Sequence, residues 1–567
     1  MREKIIQLLQ SFVPAGTPIE VSVPEEEKFG HYATNVAFAL AKAERAAPMA
    51  VAKRLAGELA EAGRGLFARV EAAGNGFINF FLKDEALWGA LENALERSET
   101  WGCGEEGAGK TVMVEYFQLN VAKVPHVGHL RSAVIGDALK RVFTARGYHA
   151  VSDTHVGDWG TQFGILLYGY RSLDEEARRA LAAEPFEALN CLYQETNRRI
   201  EEQPELREAA KEEFAKLERG DAENRRIWEW MLNASMKKLG ESAARLGLLP
   251  FDEHRGESAY ERDMPPLVAL AFEKGVAARK PDGAVVVDLT SEGLDEAVLV
   301  KSDGASTYLL RDLATIRYRK KQWDFFKNLY VVDVRQSHHF RQVFRVAELL
   351  GFEGVGASVH VDFGFMSLPE GAMSTRHGTT TPLNEVLDDI IERARTVIQE
   401  KNPALEEKDA VANAVGIGAL KYFDLSHHRQ SNVVFRGEEA ISFEGNTGPY
   451  IQYTHARLKS ILRKAGSDAV RAASPATELN ADERALAALI ARFPETVADV
   501  LIDFAPSMLA NHLFALAQTA NRFYHANPVL QEPDHAKKAA RLTLVQAAAL
   551  SLHNGLNLLG ISALEKM

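Results

Sequence analysis

The succession TVMVEYF, HLRSAVIGDALKRVFTARG and HAVSDTHVGDWG sets the tightest limit on how this chain folds. The first stretch is β-branched and aromatic, the second has a helical period, and the third is strand-like again. A helix between two strands is the crossover that parallel pairing requires, so the unit reads as βαβ and opens a parallel sheet at Thr111. On the helix, Leu130, Val134, Ala138 and Val142 form the predicted buried stripe.

Around this unit the chain divides. Residues 1–108 combine apolar-periodic helices at 35–43 and 49–62 with the strand-like GFINFFL, and read as a small α+β domain. The sheet domain is expected over 109–381, with a helical insertion at about 172–260 that is dense in Glu, Arg and Ala. Further strands are expected at GAVVVDL, AVLVKS, NLYVVDV and SVHVDFGFM, with a turn at Asp303-Gly304. From Pro382 nearly everything has a helical period, as a connector over 382–445 and an all-helical domain over 446–567.

Two cysteines, Cys103 and Cys191, can build neither a disulfide framework nor a four-cysteine zinc site, so a reducing, cytoplasmic setting is expected. The opening MREKIIQLLQSFVPAG reads as an amphipathic helix rather than a signal peptide. The apolar LVQAAALSLHNGLNLLGISAL is interrupted by Gln, His and two Asn, and reads as a buried helix, not a membrane span. The formal net charge of −12 argues against nucleic acid spread over the whole surface. From residue 446 onward, however, Lys and Arg exceed Asp and Glu by two, which leaves room for a local contact.

Residues 104–111, GEEGAGKT, match the phosphate-cradling pattern G-x-x-x-x-G-K-[ST]. That loop works only with a strand before it and a helix after it. Here a turn-like SETWGCG precedes it and TVMVEYF follows, so Lys110 and Thr111 are expected to enter a strand. A stronger phosphate site lies further on. His126 and His129 are three apart at a predicted helix start, with Gly128 between them. This spacing aims both imidazoles off a helix N-terminus, where anions are favoured. Gly128 leaves room for a flat base or a phosphate against the backbone. A metal pair and two capping histidines are the alternatives.

H-V-G-H after the first strand of a βαβ unit resembles the HIGH signature of class I aminoacyl-tRNA synthetases. The wider string E-Y-x-x-x-N-x-A-K-x-x-H-V-G-H-L-R-S-x-x-I-G-D-A resembles the arginyl-tRNA synthetases in particular. FGHYATNVAFALAK, STYLLRDLA, YVVDVRQSHHFRQVF, GPYIQYTHARLKSIL and the closing Leu-Glu-Lys-Met are similar to other parts of that family. The resemblance implies a multidomain α/β protein. Its parts would be a Rossmann-like catalytic domain with helical insertions, a tRNA-binding N-terminal domain and an all-α anticodon-binding domain. It also implies a two-step reaction. Arginine attacks the α-phosphorus of ATP, supplied with Mg2+, and the arginyl group then passes to the 2′-hydroxyl of the terminal adenosine of its tRNA. No protein-bound metal is implied, and a monomer is expected.

Residue by residue, the resemblance implies that His126, His129 and Lys123 carry catalysis. It gives ATP contacts to His126, Gly128, His129, Met373, Ser374 and Arg376. Glu115, Asn120 and His126 would hold the α-amino end of arginine. Tyr308, Asp312 and Gln336 would hold its guanidinium, a charged planar fork that calls for carboxylates and neutral acceptors. From the residues alone, Asp312 could instead pair with Arg311 or Arg317, and His339 could be a core histidine or a site residue. Tyr450, Tyr453, Arg457 and Lys464 are the tRNA candidates. Arg457, Lys459, Arg463, Lys464 and Arg471 follow GPYIQYTHA with only Asp468 opposing them; Arg457, Lys464 and Arg471 recur at seven and define one basic helix face, and a solvated charged face is the alternative. Phe514, Phe523 and Tyr524 read equally as core aromatics.

Two departures stand out. At 371–378, GAMSTRHG takes the place of the second class I signature, with Ala372 for its first lysine and His377 at a later basic position, so that Arg376 is the remaining fixed cation. The resemblance then gives the pyrophosphate charge to Lys123. Phe117-Gln118-Leu119 stands where small residues and a proline are usual, and compensated packing is the expected explanation. A synthetase-like paralogue without catalysis and a class I synthetase for another amino acid are the competing functions.

Overall fold

The computed structural model describes residues 1–183, 185–369, 381–466 and 478–567. A four-stranded parallel sheet lies at its centre. The strands are β1 (Thr111–Glu115), β2 (His149–Asp153), β3 (Lys327–Asp333) and β4 (Ser358–Phe363), in the spatial order β4-β3-β1-β2. Helix α1 (Val127–Ala145) links β1 to β2, α2 (Tyr308–Trp323) leads into β3, and α3 (Ser337–Leu349) links β3 to β4. The chain leaves β1 toward one edge of the sheet and later returns to β3 on the other side of β1. A crevice therefore opens at the carboxyl ends of β1 and β3, where open α/β sheets place their ligands.

The expected strand at Thr111 is present. Lys110 donates its N–H to Gly107 in the turn before it, so GEEGAGKT is a turn that feeds a strand. The predicted buried stripe of α1 is present, and the burial extends beyond it. Leu130, Val134, Ala138 and Val142 are buried, but so are Arg131, Asp137 and Lys140 on its other faces. Arg131 meets Asp424 at 2.6 Å and Lys140 meets Asp252 at 2.7 Å. A helix enclosed on every side can keep such polar residues only by pairing them.

Between β2 and α2 the chain builds helices Glu175–Ala183, Pro185–Glu202, Leu206–Glu218 and Ala222–Arg245, then a three-stranded antiparallel sheet ending at Ala297–Val300. Trp228 of the last of these helices donates to the Asp158 carbonyl at 2.8 Å. The N-terminal part is an antiparallel sheet that includes Phe67–Ala73 and Phe77–Leu82, packed on helices Val36–Glu44 and Pro48–Ala62. The remainder is helical, with α4 (Lys408–Leu425), α5 (Gly448–Ala465), Ala481–Asp503, Ser507–Ala526 and His535–Leu558. One two-residue strand, Val433–Val434, breaks the helical run by pairing with Met366–Ser367. Among the described residues no helix is long and apolar enough to cross a membrane.

The N-terminal part is joined to the helical part through polar contacts. Arg2 reaches Asp499 at 2.6 Å, the Tyr32 hydroxyl donates to Glu495 at 2.9 Å, and Arg484 meets Asp84 at 2.7 Å. Two histidines lie in this seam. Burial, reinforced by Arg492, pulls His31 and His512 down to about 4. The unfolded chain would protonate both near 6.5. Between pH 6.5 and 4 the unfolded state therefore binds more protons, and stability falls as the pH is lowered through that window. Thermal unfolding between pH 7 and 4 will show this loss. His512→Gln will reduce its slope by up to about 1.36 kcal/mol per pH unit, one proton's worth; an unchanged slope would mean His512 does not titrate this way.

Candidate active site

The first turn of α1 carries the histidine pair. His126 is the N-cap, and its Nδ1 accepts the Gly128 N–H at 3.1 Å. His129 Nδ1 accepts the His126 N–H at 3.1 Å, and the two rings lie 3.9 Å apart. The histidines are thus caps, as one alternative had it, and capping fixes their chemistry. Burial pushes His126 to about 4 and His129 to about 3, with Lys123 adding to both, so each ring is neutral at pH 7. A neutral ring that accepts at Nδ1 carries its proton on Nε2. The turn therefore holds two uncharged Nε2–H donors beside the positive end of a helix. A Cβ on Gly128 would sit 2.7 Å from the His126 ring, so glycine makes room for that ring as well as for a ligand.

Lys123 is exposed on the loop before His126, 5.8 Å from the Tyr193 ring centroid. The loop is pinned where Ala122, in the left-handed region at φ 59°, donates its N–H to Ser235. Asn120 is exposed beside Gly157 in a bridge that extends the parallel pairing past β1 and β2. A Cβ on Gly157 would approach Asn120 Oδ1 to 2.2 Å, so only glycine leaves that amide in place.

Glu115 is buried at the end of β1, with Oε2 2.7 Å from Arg319 Nη2 and Oε1 accepting from Gln118 at 3.1 Å. Asp312 lies one turn after Tyr308 on α2. Its partner is neither Arg311 nor Arg317 but His339 on α3, whose Nε2 is 2.5 Å from Oδ2. Arg311 instead meets Glu257 at 3.1 Å, and burial raises that carboxyl to about 7 against the pull of Arg311. Tyr308 is 65% exposed at the start of α2, and Gln336 is exposed in the turn between β3 and α3. Both polar ends of the crevice therefore remain open to solvent.

Sequence reasoning did not find two residues here. His155, in the left-handed region at φ 40°, donates its backbone N–H to Asp153. Burial opposes charge on its ring, but Glu115 and Asp312 outweigh that and raise its pKa. Arg335, beside Gln336, is close enough to His126 to lower the pKa of that imidazole. Position just past the carboxyl end of a strand, shared by His155 after β2 and Arg335 after β3, is the signal that could have found both. Phe117-Gln118-Leu119 is packing in part: Phe117 and Leu119 are buried, and Phe117 holds φ 59° by donating its N–H to Ser132. Gln118, however, donates to Glu115.

Met373, Ser374 and Arg376, like Ala372 and His377, lie outside the described residues. Among the described residues no three His, Cys, Asp or Glu side chains converge as a metal donor set.

Three family descriptions match this chain in succession. Arginyl tRNA synthetase N terminal domain covers residues 1–82, tRNA synthetases class I (R), catalytic domain covers 91–436, and DALR anticodon binding domain covers 451–567. The arginine–tRNA ligase of Halothermothrix orenii is 36% identical over 100% of this chain and 99% of its own. The chain belongs to the arginine–tRNA ligase family. The arginine–tRNA ligase of Lactobacillus delbrueckii subsp. bulgaricus is 37% identical over the full length of both chains. The arginyl-tRNA synthetase structure of Thermus thermophilus superposes with a TM-score of 0.83 at 28% identity, over 100% of this chain and 99% of that one. The activity is accordingly that of a ligase that joins arginine to tRNA, with ATP as the third substrate.

The arginine–tRNA ligase reading also directs attention to α5. Tyr450 is half-buried against Phe514, and its hydroxyl accepts from Asn521 at 3.0 Å. Tyr453 is exposed under the Arg457 guanidinium, which also donates to Asn521 at 2.9 Å. Lys464 is exposed. The expectation that Asp468 alone opposes this helix needs correcting, because Glu565 meets Lys459 at 2.9 Å and Arg463 at 3.6 Å. Asp468 and Arg471 lie outside the described residues, and Phe523 is a core residue.

Proposed function

We propose that the crevice at the carboxyl ends of β1 and β3 performs both steps of arginyl transfer, with the roles divided as follows. The Nε2–H groups of His126 and His129 donate to the ATP phosphates and strengthen those bonds as charge builds on the pentacoordinate phosphorus. Gly128 admits the nucleotide, and Met373, Ser374 and Arg376 complete its contacts. Mg2+ arrives with ATP. Glu115 and Asn120, with His126, hold the α-amino end of arginine and aim its carboxylate at the α-phosphorus. Asp312, Tyr308 and Gln336 hold the guanidinium. Such positioning supplies most of the rate in phosphoryl chemistry. Tyr450, Tyr453, Arg457 and Lys464 contact tRNA on α5. The division into 1–108, 109–381, 382–445 and 446–567, a monomeric state and a cytoplasmic location complete the reading.

The observation that carries it is the pair of neutral, Nε2-protonated histidines capping a helix N-terminus just after β1. ATP–pyrophosphate exchange with each amino acid, with and without tRNA, tests it; exchange with an amino acid other than arginine would overturn it.

Lys123 takes the pyrophosphate charge because Ala372 has removed the loop lysine. Lys123→Ala will lower kcat for adenylate formation far more than it weakens arginine binding, and Ala372→Lys in that background will restore part of the loss. Single-turnover adenylate formation measures both. A near-silent Lys123→Ala would shift the role to another cation, Arg376 or Arg335.

A further inference from the structure

Glu115 and Asp153 are direct partners in the β1–β2 register, and both carboxyl groups are buried. Two carboxylates so placed repel each other, and without compensation one of them takes up a proton. Arg319 supplies the compensation. It projects from the middle of α2, is fully buried, and sets Nη2 2.7 Å from Glu115 and 2.7 Å from Asp153. Its Nη1 donates to Asn328 at 3.4 Å, and its guanidinium lies 5.3 Å from the Tyr330 ring centroid. Tyr330 is itself the register partner of Glu115 on β3. One buried guanidinium thus ties together the ends of β1 and β2 and the ring on β3.

We propose that Arg319 is a positioning residue for amino-acid selection: it bridges the paired carboxylates of Glu115 and Asp153 and holds that of Glu115 in the orientation that receives the α-ammonium of arginine. This rests on the pocket reading above. A carboxylate offers about four acceptor sites. Gln118 donates to Oε1, and Arg319 lies against Oε2 as an ion pair without a hydrogen bond, which leaves acceptor capacity on the carboxylate for an ammonium. Remove the guanidinium, and nothing anchors the Glu115 carboxylate against the repulsion of Asp153, so the ammonium loses an acceptor in a fixed position. Arg319 reaches the substrate only through Glu115 and makes no contact assigned to ATP.

The test is steady-state ATP–pyrophosphate exchange on the full chain with Glu115→Gln, Arg319→Lys, Arg319→Ala and the Glu115→Gln/Arg319→Lys double variant. Arg319→Lys is expected to raise KM for arginine about tenfold, the scale of one charge-assisted hydrogen bond. KM for ATP should stay within about twofold, because uniform binding of the nucleotide is untouched. The double variant should be little worse than Glu115→Gln alone, since both changes act through one carboxylate. Millimolar guanidinium should restore part of the arginine affinity of Arg319→Ala by refilling the gap; if that variant does not fold, the lysine variant carries the test.

The proposal is overturned if Arg319→Lys leaves KM for arginine unchanged while Glu115→Gln raises it. It is also overturned if Arg319→Lys raises both KM values together, as general loosening would. An unchanged KM for arginine in Glu115→Gln overturns the pocket reading itself, and the proposal falls with it.

Discussion

His129→Ala lowers kcat for arginyl-adenylate formation by about 10²–10³-fold, the cost of removing one donor to a developing charge. Part of any alanine effect comes from structure, because His129 also accepts the His126 N–H and so caps α1. His129→Asn separates the two roles. Its side-chain oxygen can still accept that N–H, while the Nε2–H donor is gone. If the donor is what matters, His129→Asn loses nearly as much activity as His129→Ala but keeps more of the stability, about 1 kcal/mol for a cap. Lys110→Ala serves as the control, since Lys110 donates to the Glu106 carbonyl in a turn ahead of β1 and stays within a few-fold of the parent. Pre-steady-state adenylate formation with parallel thermal unfolding reads all three. Loss of activity in a folded Lys110→Ala variant would move the phosphate site to GEEGAGKT.

The second large effect concerns the choice of amino acid. Asp312 has Oδ2 held by His339 and lies one turn after the exposed Tyr308 on α2. A guanidinium that donates to this carboxylate gains about 1.5–3 kcal/mol, and a buried carboxylate left unpaired costs at least as much. Citrulline has nearly the shape of arginine but is neutral and presents an oxygen in place of a donor. The parent should therefore reject it by a factor on the order of 10⁴, as sites built around a substrate's donors do. Asp312→Asn should raise KM for arginine strongly and narrow the gap to citrulline, with KM for ATP near normal. Aminoacylation with both amino acids, by parent and variant, decides. A variant that still discriminates against citrulline as well as the parent does would remove Asp312 from the guanidinium site.

The parts of the site that were legible in the sequence are those whose meaning is local. His126, Gly128 and His129 lie within one helical turn, and Tyr308 and Asp312 within another. Spacing alone therefore puts each set together once the βαβ order is read. The strand at Thr111 was legible because TVMVEYF could be nothing else in that position. The illegible parts arise from pairing over long separations. Arg319 meets Asp153 across 166 positions, and its side chain reads in the sequence as one more charge on an exposed helix. His339 and Asp312 are 27 apart on different helices, so no pattern announced that the histidine would displace Arg311 and Arg317 as the partner. The stripe on α1 was read correctly, but the burial of its other faces was not, for a related reason. Its polar residues look solvent-facing until Asp424 and Asp252 arrive from elsewhere in the chain. Glu565 reached Lys459 and Arg463 of α5 in the same way, from a segment about a hundred residues downstream.

The enclosure of α1 has a bearing on how the reaction cycle is shared among the walls of the crevice. A helix whose apolar and charged faces are both locked into neighbours has no low-cost direction in which to tilt or slide. The two imidazoles at its tip therefore act as an anvil, in register with the sheet whether or not nucleotide is present. Whatever adjustment the substrates require falls to the opposite side, where Tyr308 and Gln336 stand in solvent at the ends of their elements. On the proposed assignment, the α1 turn meets ATP with its two rings already set, and the exposed Tyr308 and Gln336 take their places as arginine binds.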